Sequence, residues 1–389
     1  MPKLRIATWA GEYSGILQYR WTQPLYELRK RGHDIYILPN ITCYDDVDYK
    51  KKIEVCANII RQSDILFMIS PGFYKTFEAL SELKKVKPDL KLVGDFDDDQ
   101  FNISPLNQAY ARCGYKNAKV EADGEIFYLW EHGKNGFDVI KNRIDAKATA
   151  NIISMLDLMT TTTERLKFKY RHYIDKEKIK VIPNAVNFEA FSLYSKFDKG
   201  DGKIRIVWPL SSSHLNDWRD IRKSLGNVLK RNKNVKLVTL GVEMGRGRDI
   251  PISQHEHVGW AMGYAEYLNN LFTSGADIGI CPLADDRFNW KKSPIKWEEI
   301  SAMGLPAVVS HVMYSDYVQD GVTGLVYHNH AEFEEKLQRL IDDAELRVRL
   351  GSAAQEHVRE KYNVLIVANE YESAFEKICN KNKIIEVVA

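Results

Sequence analysis

One stretch of the sequence decides the fold: Asn289-Trp-Lys-Lys-Ser-Pro-Ile-Lys-Trp-Glu-Glu-Ile-Ser-Ala-Met-Gly-Leu-Pro-Ala-Val-Val-Ser310. It shows charges at helical spacing, then a Gly-Leu-Pro break, then a short β-branched run that predicts a strand. On a helix, Lys292, Lys296 and Glu299 share one face, so two ammonium groups and one carboxylate can converge on one ligand. The cations suit phosphate, the carboxylate suits a pair of sugar hydroxyls, and a helix N-terminus suits an anion. The pattern predicts a site for a nucleotide diphosphate sugar.

An ordinary amphipathic helix with solvated lysines has the same spacing, and the flanking residues decide between the two interpretations. They resemble the GT-B-fold glycosyltransferases of family 4, retaining enzymes whose donor site has a glutamate five residues before the glycine of a Gly-x-Pro turn. Glu299 and Gly304 match that spacing, and Phe288 through Glu299 matches the variant Phe-Asn-x-x-Lys-Ser-x-x-Lys-x-x-Glu. Where the family commonly has a second glutamate, this sequence has Lys291. The resemblance implies that a nucleotide sugar, expected to be a UDP-sugar, is bound by Lys292, Ser293, Lys296 and Glu299.

The rest of the chain alternates β-branched runs with amphipathic segments twice, which predicts parallel sheets flanked by helices. The resemblance implies an α/β GT-B fold, in which two Rossmann-like, doubly wound parallel-sheet domains face each other across a cleft. We predict an acceptor-binding domain at 1–195, a nucleotide-sugar-binding domain at 203–362, and a C-terminal helix at 363–389 that crosses back onto the first domain. The polar stretch 196–202 is the predicted linker. The predicted strands are 4–8, 34–38, 64–69, 91–95, 157–161, 179–182, 203–208, 236–240, 278–280 and 307–310.

Composition excludes several classes of protein. The 389 residues are 44% hydrophobic and 28% charged with a net charge of +2, which is typical of a soluble globular protein and not of a basic nucleic-acid-binding domain. No apolar run approaches the ~20 residues that span a bilayer, and the N-terminus has no signal-peptide pattern. Five scattered cysteines predict neither a disulfide framework nor a zinc site. We therefore expect the protein in a cytoplasm, that of the host if a phage encodes it.

Three other segments are expected at the donor site. Ser212 and His214 follow a predicted strand and open a helix, in a segment that resembles the Gly-Ser-x-x-His-x-x-Asp of relatives, and such a turn suits a diphosphate. A helix cap or a core histidine is the alternative for His214. In relatives the loop that contains Trp260 borders the nucleobase, so Trp260 or Tyr264 is expected to stack on the base, with core packing as the alternative. Gly15, with Gly11, allows the backbone of the first loop to approach a ligand.

An acidic cluster, Asp95-Phe-Asp97-Asp98-Asp99, follows the strand predicted at 91–95. Like charges this close repel one another, so the cluster needs cations, donors or hydroxyls nearby. It is similar to the Asp-x-Asp-Asp-x-Phe-Asn of family members found in bacteriophages and bacterial glycan loci. We expect Asp97 and Asp98 to act as catalytic residues that orient an acceptor hydroxyl, with Asp95, Asp99 and Arg20 binding the acceptor. A metal site, a helix cap and a solvated acidic turn are the alternatives.

The resemblance implies a reaction that moves a sugar from a nucleotide diphosphate sugar to a hydroxyl with retention, without a metal or other cofactor. Lys292 is expected to act in catalysis by neutralising charge on the leaving diphosphate. The acceptor stays open between 5-hydroxymethylcytosine in phage DNA, indicated by the phage-like acidic motif and the basic runs at 165–180 and 219–236, and a glycan or lipid-linked saccharide. Alternatives from other classes are a nucleotide-sugar epimerase and a non-catalytic sugar-nucleotide-binding protein.

Overall fold

The computed structural model describes residues 3–9, 15–39, 49–122, 125–244 and 249–386. The chain divides into two compact units: Met1–Pro105, Ala109–Ala185 and Val364–Ala389 form the first, and Leu106–Gln108 with Val186–Asn363 form the second. Gly11 of the predicted first loop lies outside the described residues. Within the described residues, every helix is too short or too polar to span a bilayer.

The first unit is a parallel sheet with helices packed against it. Its strands are β1 (Arg5–Trp9), β2 (Asp34–Ile37), β3 (Ile65–Ile69), β4 (Lys91–Phe96), β5 (Ala118–Ala122), β6 (Glu125–Trp130), β7 (Leu158–Thr161) and β8 (Ile179–Val181). Its helices are α1 (Gly15–Leu17), α2 (Gln23–Lys30), α3 (Tyr49–Gln62), α4 (Tyr74–Val86), α5 (Tyr110–Cys113), α6 (Val139–Met155) and α7 (Glu164–Tyr170), with a π-helical turn at Gln18–Thr22. The sheet order is β2-β1-β3-β4-β7-β8, all parallel, while β5 and β6 form a separate antiparallel hairpin.

The second unit repeats the same arrangement. Its strands are β9 (Ile204–Leu210), β10 (Val235–Gly241), β11 (His255–Val258), β12 (Ile278–Cys281), β13 (Ala307–Ser310) and β14 (Leu325–Tyr327). Its helices are α8 (Phe188–Ser192), α9 (Leu215–Arg231), α10 (Tyr264–Thr273), α11 (Ile295–Ala302), α12 (His330–Asp342) and α13 (Ala344–Tyr362). The order is β11-β10-β9-β12-β13-β14, and every pair is parallel. Central strands such as β12 and β13 are buried along their whole length, which is the pattern of a sheet covered on both faces.

The last helix, α14 (Val364–Glu386), packs into the core of the first unit. The ring centroid of Phe67 on β3 lies 5.6 Å from that of Tyr371 and 5.4 Å from that of Phe375. Aromatic pairs at such distances contribute attraction beyond the area that they bury. The C-terminal residues therefore return to the first sheet after the second unit is complete, and the predicted α/β class with two parallel-sheet domains is confirmed.

The structure differs from the sequence prediction in three places. The second unit begins at Val186, before the predicted linker, because Val186 N–H donates to the carbonyl of Tyr362 at 2.7 Å and Phe191 packs in the second core. No strand was predicted in residues 104–145, which contain the β5–β6 hairpin and the start of α6. The short strands β11 and β14 were not predicted, since His255-Glu-His-Val and a three-residue strand have little hydrophobic pattern.

Candidate active site

The strand order of the second sheet reverses between β9 and β12. In doubly wound sheets, ligands bind outside the carboxyl ends of the strands at such a reversal. β9 leads into a 3₁₀ turn at Ser212–His214 and then α9, and β12 leads into a loop and then α11. The fold therefore brings two of the segments predicted to bind a donor to one edge of the second sheet.

A buried carboxylate, Asp217 on α9, joins these two segments. Its Oδ2 lies 2.8 Å from Nδ1 of His214, at the start of the same helix. Its Oδ1 accepts hydrogen bonds from the backbone N–H of Ala284 and the side-chain amide of Asn289, both at 2.8 Å. The motifs His-x-x-Asp and Phe-Asn-x-x-Lys therefore fix the loop after β12 against the start of α9. Sequence analysis quoted both motifs but missed Asp217 and Asn289 as site residues, since their pairing is visible only in three dimensions.

His214 is a neutral imidazole in this arrangement. Burial lowers the pKa of His214, and the charges of Lys292 and Lys296 lower it further against the opposing effect of Asp217. Burial acts to raise the pKa of Asp217, but the interactions with His214, Lys292 and the N–H of Ala284 together outweigh it and the pKa is lowered. Because an ionised carboxylate only accepts, Nδ1 of His214 has the proton and Nε2 is a hydrogen-bond acceptor. Such an acceptor suits a hydroxyl group of a ligand.

A second polar cluster lies on α11. Oε2 of Glu299, a residue that is only 1% exposed, accepts hydrogen bonds from Nζ of Lys296 at 3.0 Å and from the hydroxyl of Tyr267 at 2.9 Å. Burial raises the pKa of Tyr267 well above its usual value, and the charge of Glu299 adds to the effect, so the phenol stays a donor. Two groups therefore fix the position of the Glu299 carboxylate. Sequence analysis missed Tyr267, which comes from α10 and carried no motif.

Lys292 and Ser293 do not lie on the helix that sequence analysis assigned to them. α11 begins at Ile295, and the backbone of Lys292 is extended with ψ of 163°. Pro294 explains the difference, because proline lacks an N–H, favours the first turn of a helix and disfavours helical backbone in the residue before it. The ammonium of Lys292 lies 5.4 Å from the ring centroid of Phe288. Lys292 therefore precedes the helix N-terminus, while Lys296 and Glu299 lie one turn apart on the helix.

Two helix N-termini meet this edge of the second sheet. In the part of the chain that the structure describes, no side chain caps the first N–H groups of α9 or α11. Such N–H groups attract anions, and the helix dipole adds to the attraction. Ser212 lies half-buried in the turn before α9, where the hydroxyls of Ser211 and Ser213 are 2.8 Å apart. The combination of N–H and hydroxyl groups has the chemistry to bind a diphosphate.

Trp260 and Gly15 are the remaining predicted donor residues. Trp260 follows β11 at the same edge of the second sheet and is 59% exposed. Its ring lies over Gly241, where an added β-carbon would be 3.4 Å from the indole. An exposed aromatic face of this kind suits stacking on a base. Gly15 begins α1 in the first unit, and among the described residues no atom lies within 4 Å of where its β-carbon would be.

Arg20 and Asp95, predicted to bind an acceptor, have a structural role instead. Both side chains are 0% exposed and form a two-pronged ion pair, with distances of 3.1 and 2.5 Å. The guanidinium also donates to the carbonyls of Ile182 and Pro183, and the carboxylate accepts from the hydroxyl of Tyr371 on α14 at 3.0 Å. Burial acts to lower the pKa of Arg20, but Asp95, Tyr371 and Asp97 together outweigh it, so the pKa of Arg20 is raised. The pair joins β4, α14 and the turn after β8, and the prediction of an acceptor contact is wrong for both residues.

The other three carboxylates of the acidic cluster differ in burial and in role. Asp99 is buried and closes a turn, with Oδ1 accepting from Phe101 N–H at 3.1 Å and Oδ2 from the Asn102 amide at 2.7 Å. Its predicted acceptor contact is also contradicted, since both oxygens are used within the turn. Asp97 and Asp98 are half-buried, and Oδ1 of Asp97 lies 3.2 Å from the hydroxyl of Ser70. Burial, with the charges of Asp98 and Asp95, raises the pKa of Asp97 to about 7.

Comparison with known proteins agrees with this geometry. Residues 222–372, which include Lys292, Lys296 and Glu299, match a protein family described as glycosyl transferase-like. No curated protein matches the sequence. A glycosyltransferase from Rickettsia africae has a similar structure, with a TM-score of 0.65 and 13% identity over 97% of this chain and 99% of that one.

Two further solved structures share the fold at low identity. Anabaena Alr3699/HepE, crystallised in complex with UDP-glucose, aligns with a TM-score of 0.62 and 11% identity over 96% of this chain and 100% of that one. Sucrose-phosphate synthase from Thermosynechococcus elongatus aligns with a TM-score of 0.60 and 12% identity over 97% and 99% of the two chains. The family match over residues 222–372 agrees with the predicted enzyme class, a glycosyltransferase, and the structural likeness confirms the predicted GT-B fold.

Proposed function

We propose that the protein transfers a sugar from a UDP-sugar to an acceptor hydroxyl, with retention of anomeric configuration and without a metal ion. The observation that carries the proposal is the grouping of His214, Lys292, Lys296 and Glu299 where the strand order of the second sheet reverses. That place is where doubly wound sheets bind nucleotides. The complex of HepE with UDP-glucose, in a protein of the same fold, supports the choice of donor.

Each group has one task in this proposal. Lys292 binds the diphosphate together with the N–H groups at the start of α11 and of α9. These groups neutralise the negative charge that develops as the diphosphate leaves, and such electrostatic stabilisation is usually the largest single contribution to catalysis. Glu299, fixed by Lys296 and Tyr267, binds the ribose hydroxyls. Ser212 adds a hydroxyl near the diphosphate. Trp260 stacks on the base.

His214 binds the sugar of the donor. Its Nε2 accepts a hydrogen bond from a sugar hydroxyl, because Asp217 keeps the proton on Nδ1. Retention follows from the family resemblance: the leaving diphosphate takes the acceptor proton on the same face of the sugar. Lysines and helix N-termini supply positive charge to that diphosphate, so the mechanism needs no metal. Asp97 and Asp98 orient the incoming hydroxyl.

The test is a transfer assay with UDP-glucose, UDP-galactose and UDP-N-acetylglucosamine in the presence of EDTA, with saccharides or with DNA containing 5-hydroxymethylcytosine. We expect one donor to release UDP and to give a product whose anomeric configuration, read by NMR, equals that of the donor. Glu299→Gln should weaken UDP binding at least tenfold, while Glu335→Gln, the same change at an exposed position on α12, should not.

Three results would contradict the proposal. Isomerisation of the donor without an acceptor would identify an epimerase. Binding of every donor without turnover would identify a sugar-nucleotide-binding protein. Loss of transfer on addition of EDTA, restored by a divalent cation, would show that the lysines and helix N-termini are insufficient for the leaving group.

A further inference from the structure

A cavity of about 190 Å³ opens in the first unit at the carboxyl ends of β3 and β4. Its lining includes Ser70, Phe73, Asp97, Asp98, Gln100 and Arg112. The neighbouring strands β1 and β3 are where the order of the first sheet reverses. The cavity therefore lies beside the position at which a doubly wound sheet binds ligands, and all of its walls belong to one compact unit.

The backbone around the cavity is strained in a way that shapes it. Ser70 has φ of 44° and Phe73 has φ of 71°, both in the left-handed region that non-glycine residues rarely adopt. The strain is balanced by contacts to α6: the N–H of Phe73 donates to Thr149 Oγ1 at 3.4 Å and the N–H of Tyr74 to Asp145 Oδ1 at 2.9 Å. These bonds set the Phe73 ring, 36% exposed, on one wall of the cavity.

The carboxylates on the walls have different surroundings. Asp145 is committed to protein partners, since its second oxygen accepts from Nζ of Lys141 at 2.8 Å. The side chain of Asp97 accepts from the Ser70 hydroxyl at 3.2 Å, which is a long hydrogen bond. Burial raises the pKa of Asp97 to about 7, and a hydroxyl that donates to it would stabilise its charged form. Asp97 is thus the carboxylate on this wall with most to gain from a ligand hydroxyl.

Size and chemistry select the class of ligand. The cavity, of about 190 Å³, has room for a ring-sized ligand. Carboxylates, an amide and hydroxyls beside an aromatic face suit a compact molecule with several hydroxyl groups. We propose that this cavity binds the acceptor as a single sugar ring, one hydroxyl of which donates to Asp97 while its apolar face contacts Phe73. The proposal rests on the glycosyl transfer proposed above and names its acceptor class.

Part of one basic run that favoured DNA as acceptor, 219–236, is already paired with carboxylates. In the run 219–236, Arg222 pairs with Asp249 at 3.2 Å, Arg231 with Glu334 at 2.9 Å and Lys236 with Glu256 at 2.8 Å. Cations that are already paired release fewer counterions on meeting phosphates, so they contribute less to DNA affinity.

The charges on the cavity walls also favour a saccharide over DNA as the acceptor. Asp97, Asp98 and Asp145 line the cavity together with one cation, Arg112, so the phosphates that flank a flipped nucleotide would meet more acidic than basic groups, and like charges repel. A neutral saccharide meets no such repulsion. A saccharide acceptor therefore fits the cavity better than a DNA base.

The test measures binding of methyl α-glucoside, methyl α-mannoside, methyl α-galactoside and N-acetylglucosamine by saturation-transfer NMR and calorimetry, with a 5-hydroxymethylcytosine oligonucleotide as competitor. We expect at least one glycoside to bind. Asp97→Asn should weaken it at least tenfold and Gln100→Ala severalfold, with UDP affinity unchanged in both. Asp89→Asn, the same change at an exposed position of the first unit, is the control. The wild-type affinity for the glycoside should fall as the pH drops below about 7, and the Asp97→Asn variant should lack that dependence.

The proposal is overturned if no glycoside binds, if the oligonucleotide alone binds and Asp97→Asn abolishes its binding, or if the glycoside binds equally to all variants. Failure of the donor proposal gives a different result: UDP does not bind the wild type, whereas glycoside binding and its loss in Asp97→Asn can still be measured. Thermal unfolding of each variant shows that the fold is retained.

Discussion

The two units place their charged clusters at equivalent edges, the carboxyl ends of central parallel strands, and use them differently. In the first unit the run Asp95–Asp99 follows β4, and two of its four carboxylates, Asp95 and Asp99, are buried and bonded to protein groups. In the second unit the charged residues around α11 pair with one another or lie beside uncapped helix N-termini. Charged residues that are adjacent in sequence therefore do not share one role.

The difference follows from backbone direction. Asp95 is still part of β4, so its side chain points into the core and needs the buried Arg20 as partner. Asp97 and Asp98 come after the strand, where the chain is free to turn towards solvent. In the second unit Pro294 starts the helix late and puts Lys292 in front of its N-terminus. The exact end of a strand or start of a helix decides which charges stay available for a ligand.

The largest expected effect is on stability and comes from removing the buried partner of Asp95 in the acidic cluster of the first unit. Arg20→Met leaves the Asp95 carboxylate buried without its cation, which costs about 3–5 kcal/mol of unfolding free energy. Urea denaturation should show this loss, whereas Arg231→Met, which removes a partly exposed ion pair with Glu334, should cost about 0–1 kcal/mol. If the two variants lose the same stability, the structural role of the Arg20–Asp95 pair is wrong.

The next effect concerns the carboxylate that joins the donor segments. Asp217→Asn replaces the acceptor that fixes the proton on Nδ1 of His214, so the imidazole can turn a donor instead of an acceptor towards the sugar. We expect affinity for the UDP-sugar to fall roughly 10- to 100-fold, about 1.4–2.7 kcal/mol, with a smaller change in affinity for UDP alone.

Asp220→Asn is the matched control for that variant, since Asp220 lies on the same helix in an exposed pair with His330 at 3.2 Å. Calorimetry with UDP and with the UDP-sugar measures both affinities. Equal losses for UDP and UDP-sugar would mean that His214 does not contact the sugar.

The smallest expected effect concerns the pH dependence of thermal stability that the raised pKa of Asp97 causes. The folded state raises the pKa of Asp97 from 3.8 to about 7, so between these values the native protein binds more protons than the unfolded chain and its stability falls as the pH rises. Asp97→Asn removes this dependence, and we expect its Tm to exceed that of the wild type by a few degrees at pH 8 but not at pH 4. A Tm difference that is the same at both pH values would contradict the raised pKa. Asp89→Asn, which is exposed, should change Tm at neither pH.

Sequence reasoning predicted the parts of this molecule that depend on local pattern. The long hydrophobic strands, the two-domain α/β architecture and the C-terminal helix were all predicted, because the spacing of apolar residues within each segment indicates its secondary structure. Within the charged stretch at 289–310, the strand predicted at 307–310 is β13. These features need no knowledge of what packs against them.

The missed features depend on distant partners. Asp217, Asn289 and Tyr267 matter because segments far apart in sequence meet, with separations of 72 residues for Asp217–Asn289 and 32 for Tyr267–Glu299. Arg20 was assigned to an acceptor because its partner Asp95 lies 75 residues away. A burial pattern around a single arginine gives no sign of that partner.

The most direct test of the central claim is a crystal structure of the protein with bound UDP. The account predicts the diphosphate at the N-terminus of α11, with a lysine ammonium of Lys292 or Lys296 within about 2.7–3.2 Å of a phosphate oxygen and the Glu299 carboxylate at the ribose hydroxyls. UDP bound elsewhere, or bound at this edge with those three side chains turned away from it, would contradict the account.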